Sequence, residues 1–404
     1  MTALPVETPK GSANRIHALD GMRGLAALGV MLFHFALQLR PEGLASTALK
    51  FVLVTGPRLE LFFVLSGMLV TGLLYDAKNR EHYYRNFYAR RMLRILPLYY
   101  GALTILFVIP FVIGAEQFQV PLRDQLWYWF YLQNFNPLPP RFIGLAWHLW
   151  SLAIEQQFYL VWPIVILRTS RVTALRICVA LVLVSITYRT FGSFEGIGQG
   201  TIWPTPARLD GIAAGSAIAL LMRGPRGLET VRRRLPLLLA LSAGYIALHT
   251  TFDYMNVESR PLLPLYFTAT ATLFACLLVA AMHAGEGRAA SMLRSRFLGF
   301  FGKYGYGLYV FHVPLIGLAA LAGFTPGNLS GQGSELGATV LYLAVMTGIS
   351  SIAALISWHM WEKQFLKLKP YVVKSRGRPE AASSLKSSKG QRPAASEPSA
   401  NSAV

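Results

Sequence analysis

The sequence predicts an all-α polytopic membrane protein of about ten transmembrane helices with N- and C-termini cytoplasmic. Three observations predict it: an apolar composition, a series of long apolar runs, and the side on which Lys and Arg collect. The chain of 404 residues is 53% hydrophobic and only 14% charged, against about 25% charge in an ordinary soluble domain. Surface that poor in charge cannot all face water, so most of it must face lipid. A net charge of +19 would suggest nucleic acid in a soluble chain. In a membrane chain it follows from basic cytoplasmic loops, and no nucleic-acid partner is expected.

Runs that can cross a bilayer, which takes about 20 residues, fall at 24–39, 60–76, 95–114, 148–167, 172–190, 206–222, 235–251, 262–283, 304–323 and 336–360. An eleventh run, QLWYWFYLQNFN at 125–136, is aromatic but short. Charge decides whether it spans. With it left out, 30 of the 38 Lys and Arg residues lie in cytoplasmic segments. Counting it would place Arg232, Arg233 and Arg234 outside, against the tendency of basic loops to stay inside. The 115–147 stretch therefore reads as an external or re-entrant element, suited to a substrate mouth.

The organisation is simple. Residues 1–14 form a polar cytoplasmic segment, 15–370 the transmembrane domain, and 371–404 a basic cytoplasmic tail too poor in large apolar residues to fold. No cleavable signal and no internal repeat is visible. Cys178 and Cys276 lie in apolar runs without paired spacing. They read as packing residues, and no metal site is expected.

Ionisable groups at membrane depth are costly and tend to be functional. The first span carries Arg23 and His34 in DGMRGLAALGVMLFHF, behind Asp20. Eleven residues at about 100° each come within about 20° of three full turns, so both side chains share one face roughly 16 Å apart along the axis. His34 is then either a helix-packing histidine or a chemical one, and an arginine on its face favours the second reading. A further stripe, His148, Ser151, Glu155 and Tyr159 in HLWSLAIEQQFYLVW, has spacings of three and four. Counted inward from opposite sides, Glu155 and His34 reach similar depth, so the carboxylate could orient the imidazole. Alternatively Glu155 neutralises Arg208 or another buried cation. In YARRMLRILPLYY, Arg91 and Arg94 share a helical face. They serve either as topology anchors or as phosphate ligands. Glu60 at the head of the second span, Arg208 at the head of the sixth, and His312 ahead of Pro314 in GYGLYVFHVP are weaker candidates. Soluble signatures such as GxSxG or GxxxxGK[ST] are missing.

IHALDGMRGLAALGVMLFHF, LELFFVLSGMLVTGLL, YARRMLRILPLYY, HLWSLAIEQQFYLVWP, RLDGIAAGSAIAL and GKYGYGLYVFHVPLI together resemble the acyltransferase-3 family. These are integral-membrane O-acyltransferases of bacterial surface sugars and some secondary metabolites. The resemblance spans about residues 15–370 and makes that stretch a transmembrane acyltransferase domain. It implies that the family's Arg and His separated by ten residues fall on Arg23 and His34, its paired arginines on Arg91 and Arg94, and the glutamate of its SLxxE block on Glu155. This sequence departs from the pattern with Glu60 where Asp is more usual and Gln156 where a second Glu is common. Gln156 is thus a poor candidate for acid–base work.

The expected function is transfer of an acyl group, acetyl above all, from acyl-CoA to a hydroxyl of a polysaccharide, lipid-linked sugar or glycosylated metabolite at the bacterial inner membrane. Such transfer needs a base for the hydroxyl proton and donors for the oxyanion. His34 is the expected base, either for the acceptor directly or while itself becoming acylated, and Glu155 is its orienting partner. Arg23, Arg91 and Arg94 are expected to hold the donor phosphates, with Asp20, Glu60, Ser151, Arg208 and His312 in support. Acyl-CoA is a substrate, and no resident cofactor is expected. A transporter or flippase of lipid-linked sugar is the rival, as is a polytopic glycosyltransferase. The first should show a repeat and the second an acidic first external loop, and neither feature is seen.

Overall fold

The computed structural model describes residues 10–54, 58–112, 114, 116, 119–136, 144–194, 202–255, 260–283, 287–331 and 334–373. Among them nine helices are long and apolar enough to cross a membrane. The chain opens with α1 (Lys10–Ala36), followed by a short apolar helix α2 (Leu44–Val54) and α3 (Arg58–Asp76). α4 (Tyr83–Leu103) continues through a π-helical turn, Thr104–Val108, into α5 (Ile109–Val112). The first half of the expected 115–147 element includes α6 (Leu122–Trp129). Then come α7 (Trp150–Arg168), α8 (Arg171–Phe194), α9 (Leu209–Met222), α10 (Glu229–Tyr254) and α11 (Leu263–His283). α12 (Arg288–Leu293), α13 (Arg296–Leu321), α14 (Pro326–Ser330) and α15 (Glu335–Ser357) follow. The short pieces α16 (Lys363–Leu366) and α17 (Lys369–Val372) end the described chain.

The sixth expected span, 206–222, differs from the reading above. Its helix α9 has only 14 residues, about 21 Å long, against a ~30 Å hydrocarbon core. It begins after a 3-10 turn at Thr205–Arg208 and is packed between α3 and α8. A helix sheltered by other helices can be short, because irregular backbone at its end is covered by protein rather than lipid. The aromatic run at 125–136 does not span. α6 ends there in a 3-10 turn, Gln133–Phe135, and stacks on the side of α4, with Tyr131 4.1 Å from Tyr99 and Trp129 5.9 Å from Tyr100 between ring centroids. Residues 137–143 of the expected mouth, 1–9 of the expected N-terminal segment and 374–404 of the expected tail lie outside the described residues.

Two close seams organise the bundle. In a membrane, helices associate through packing rather than hydrophobic transfer, so small residues that let backbones touch are favoured. At the first seam a Cβ on Gly24 of α1 would lie 1.9 Å from the Leu298 carbonyl oxygen, and one on Gly302 of α13 would lie 2.2 Å from that of Asp20. At the second, a Cβ on Gly67 of α3 would lie 2.0 Å from the Ile212 oxygen, and one on Gly215 of α9 1.9 Å from that of Val64. Thr71 donates to Ser216 at 2.8 Å across the same α3–α9 contact. α8 and α10 are the least buried spans and form the rim.

Candidate active site

α1 and α13 run parallel. Gly24 meets Leu298 and Gly302, and Ala27 meets Gly305, where a Cβ would stand 3.3 Å from that of Ala27. Seven residues further along both helices, about two turns, the same register brings His34 to His312. Their rings are joined Nδ1 to Nε2 at 2.7 Å, across a sequence separation of 278. Both are buried, His312 completely. His148 is buried beside them, its ring centroid 5.1 Å from that of His312. Trp147 stands edge-on to His34 at 5.2 Å. Among the described residues, no group of three or more His, Cys, Asp or Glu is arranged to hold a metal ion.

Nearer the Arg23 end lies a cavity of about 230 Å³ bounded by α1, α3, α4, α7 and α13. Arg23, Arg91, Arg94, Ser151 and Glu155 all line it, so five of the expected site residues converge there. The Tyr159 hydroxyl donates to Glu155 Oε2 at 3.3 Å and is also bonded to Ser66. The Arg91 guanidinium stands over the Tyr159 ring, 5.0 Å from its centroid. Arg94 covers the Trp358 ring at 5.1 Å and donates to the Lys303 carbonyl at 3.5 Å. A wider cleft of about 500 Å³ adjoins this cavity through Arg23, Arg94 and Gly302. Arg294 and Lys303 add two further cations to it, and Asp20 is its one acidic side chain. Asp20 pairs with Arg23 at 3.5 Å.

The cavity ends at Ser151 and Tyr309 and does not include His34 in its walls. The Tyr309 hydroxyl donates to the His148 carbonyl. With its one proton so used, it accepts from Ser151 Oγ at 2.8 Å. A single layer of hydrogen-bonded side chains thus lies between the arginine-lined cavity and the histidines.

The expected pairing of Glu155 with His34 is corrected in this respect: the imidazole's bonded partner is His312, and Glu155 is held by Tyr159 one layer away. Of the alternative cations, Arg208 is not its partner, whereas Arg91 and Arg23 line the same cavity as Glu155. Arg208 pairs with Glu60 in a buried bridge and lies over the Phe267 ring at 4.1 Å. Glu60 on α3 and Arg208 ahead of α9 are thus paired with each other, and neither lines the cavity. His148 does not share the stripe expected of it. Residues Gly144–Leu149 are a 3-10 helix, which turns His148 toward His312, while Ser151, Glu155 and Tyr159 on α7 face the cavity.

Sequence reasoning missed Tyr309, although it lies three residues before His312 and so near the same helical face. It missed Arg294 and Lys303, which read as ordinary loop charges. It also missed Arg189, wholly buried and bonded to Asp210 at 2.9 Å and to the Pro264 carbonyl at 2.9 Å.

The family model described as an acyltransferase domain matches residues 16–357. The chain is 27% identical over 339 residues to the peptidoglycan O-acetyltransferase OatA of Listeria monocytogenes, covering 77% of this chain and 51% of that protein. It is 26% identical over 329 residues to the O-acetyltransferase OatA of Staphylococcus aureus, covering 76% and 51%. The chain thus spans about half the length of these curated relatives. No solved structure matches it. With a match over nearly all of its membrane domain and the motif residues gathered around one cavity, the chain belongs to the acyltransferase-3 family of membrane acyltransferases.

Proposed function

We propose that this protein moves an acyl group, acetyl by preference, from acyl-CoA to a hydroxyl of a cell-surface polysaccharide, a lipid-linked sugar or a glycosylated metabolite, at the bacterial inner membrane. The relatives named as O-acetyltransferases, one of them of peptidoglycan, support the acetyl group and a surface glycan.

One observation carries the donor reading. A wide cationic cleft, with Arg23, Arg94, Arg294 and Lys303 on its walls, leads into a smaller cavity where apolar walls meet Arg91, Ser151 and Glu155. That shape suits a molecule with a polyanionic head and a slender uncharged arm. Arginine forks bind phosphate in bidentate fashion, and lysine adds point charge. The arm would bring its thioester toward Ser151 and Tyr309, with His34 beyond them. There His34 takes the acceptor's proton, and the oxygen attacks the thioester carbonyl. Since CoA is made in the cytosol, the Arg23 end of α1 faces the cytoplasm, and the N-terminus lies inside.

The test is incubation of membranes holding the wild type or His34→Ala with radiolabelled acetyl-CoA and the host's glycans. Label should pass to glycan with the wild type only, while both proteins insert equally. Transfer by His34→Ala at the wild-type rate would remove His34 from the chemistry. Glycan movement across the membrane without consumption of label would replace the reading with transport.

A further inference from the structure

We propose that His312 is a positioning residue that fixes the tautomer of His34, so that the proton-accepting nitrogen of His34 is Nε2. The inference rests on His34 being the base of the proposed transfer, but its geometric part stands without a substrate.

The assignment follows from which partners can only accept. His312 Nδ1 lies 3.0 Å from the Leu308 carbonyl oxygen and 2.8 Å from that of Tyr309. A carbonyl oxygen has no proton to give, so the bonded Nδ1 must carry the hydrogen. In a neutral imidazole the other nitrogen then bears the lone pair. His312 Nε2 is therefore an acceptor, and the group 2.7 Å from it, His34 Nδ1, must be the donor. With its proton on Nδ1, neutral His34 carries its lone pair on Nε2. Two backbone carbonyls of α13 thereby decide, through one side chain, which nitrogen of α1 is basic. A histidine pinned in this way resembles a metal-bound one whose second nitrogen is bonded by an outer partner, where loss of that partner typically costs about 10–100-fold.

The arrangement also suits the charged state. In the step, the acceptor O–H bond breaks and its proton goes to His34 Nε2. The oxygen's electron pair forms the C–O bond to the thioester carbonyl carbon. The C–S bond then breaks with its pair on sulfur, and sulfur takes the proton back from Nε2. While His34 is an imidazolium, its Nδ1–H bond to neutral His312 becomes charge-assisted and shorter. The seam at Gly24 and Gly302 holds the two rings at this distance without a loop between them.

The experiment uses the full chain in lipid nanodiscs, labelled with ¹⁵N and ¹³C histidine, as wild type, His312→Phe and His312→Gln. Ring-carbon and ring-nitrogen shifts report the tautomer, and acetyl transfer from acetyl-CoA is followed in parallel. In the wild type His34 should be the Nδ1–H form. His312→Phe should lose that preference and lower turnover about 10–100-fold, with little change in the donor's apparent KM. His312→Gln, whose amide oxygen can accept from Nδ1, should keep the tautomer and recover much of the rate. An Nε2–H His34 in the wild type, or full turnover in His312→Phe, overturns the proposal. If the wild type transfers nothing from acetyl-CoA yet shows the Nδ1–H form only while His312 is present, the donor reading fails and the tautomer assignment holds.

Discussion

The backbone of Gly24 touches that of Leu298 so closely that a Cβ on the glycine would stand 1.9 Å from the carbonyl oxygen. No rotamer change can relieve such a contact, because the obstructing atom belongs to a helix backbone. Gly24→Ala must therefore push α1 away from α13 and lengthen the His34–His312 bond two to three turns further on. We expect acyl transfer to fall by at least about tenfold, since a small misplacement of catalytic groups can cost about a hundredfold. Transfer assays beside detergent size-exclusion profiles check this. A folded Gly24→Ala protein with unchanged transfer would show that the seam does not hold the histidines in place.

Arg91 and Arg94 line the cavity from one face of α4. Hydrogen bonds to charged groups contribute about 1.5–3 kcal/mol each. Replacing both by alanine should raise the donor's apparent KM by at least about tenfold, more than it lowers turnover at saturating donor. Steady-state kinetics over a range of acetyl-CoA concentrations separate the two. An unchanged KM returns these arginines to topology alone.

Arg189 and Asp210 offer a test of stability rather than catalysis. Arg189 is fully buried, and its guanidinium also donates to Thr268 at 2.8 Å. Removing one partner of such a pair leaves an uncompensated buried charge, at a cost of about 3–5 kcal/mol. Asp210→Leu should lower the thermal midpoint in detergent sharply, and the double Arg189→Leu, Asp210→Leu protein should regain much of it. If the double variant is no more stable than the single one, the charge is not the cause.

Orientation can be tested at two exposed positions. Glu42 precedes α2, and Arg226 lies in the loop before α10. With the N-terminus inside, Glu42→Cys should react with an impermeant maleimide in intact cells, and Arg226→Cys only after permeabilisation. Cys178 and Cys276 are buried and give little background. The reverse pattern would invert the protein and place the arginine-lined cavity on the wrong side for cytosolic donor.

Much of the site could be read from sequence because it is local to single helices. The spacing of Arg23 from His34, of Arg91 from Arg94, and of Ser151 from Glu155 is helical arithmetic, and all but His34 meet in one cavity. The His34–His312 bond joins residues 278 apart and depends on the register of two glycine contacts, which no periodicity encodes. Equal depth suggested Glu155 for that position, but depth fixes only one coordinate of three. The short α9 escaped notice for a similar reason. Hydropathy measures how apolar a run is, and a helix surrounded by protein is as apolar as one bathed in lipid.

The α1–α13 seam also constrains movement. Side-chain interfaces can shear, because rotamers absorb small sliding steps. Backbone lying directly on backbone has no such slack, so α1 and α13 can travel only as one body. Under the proposed function, admitting a long donor and releasing the spent thiol fall to the opposite wall, where α4 and α7 meet the cavity through arginine and tyrosine side chains that can swing.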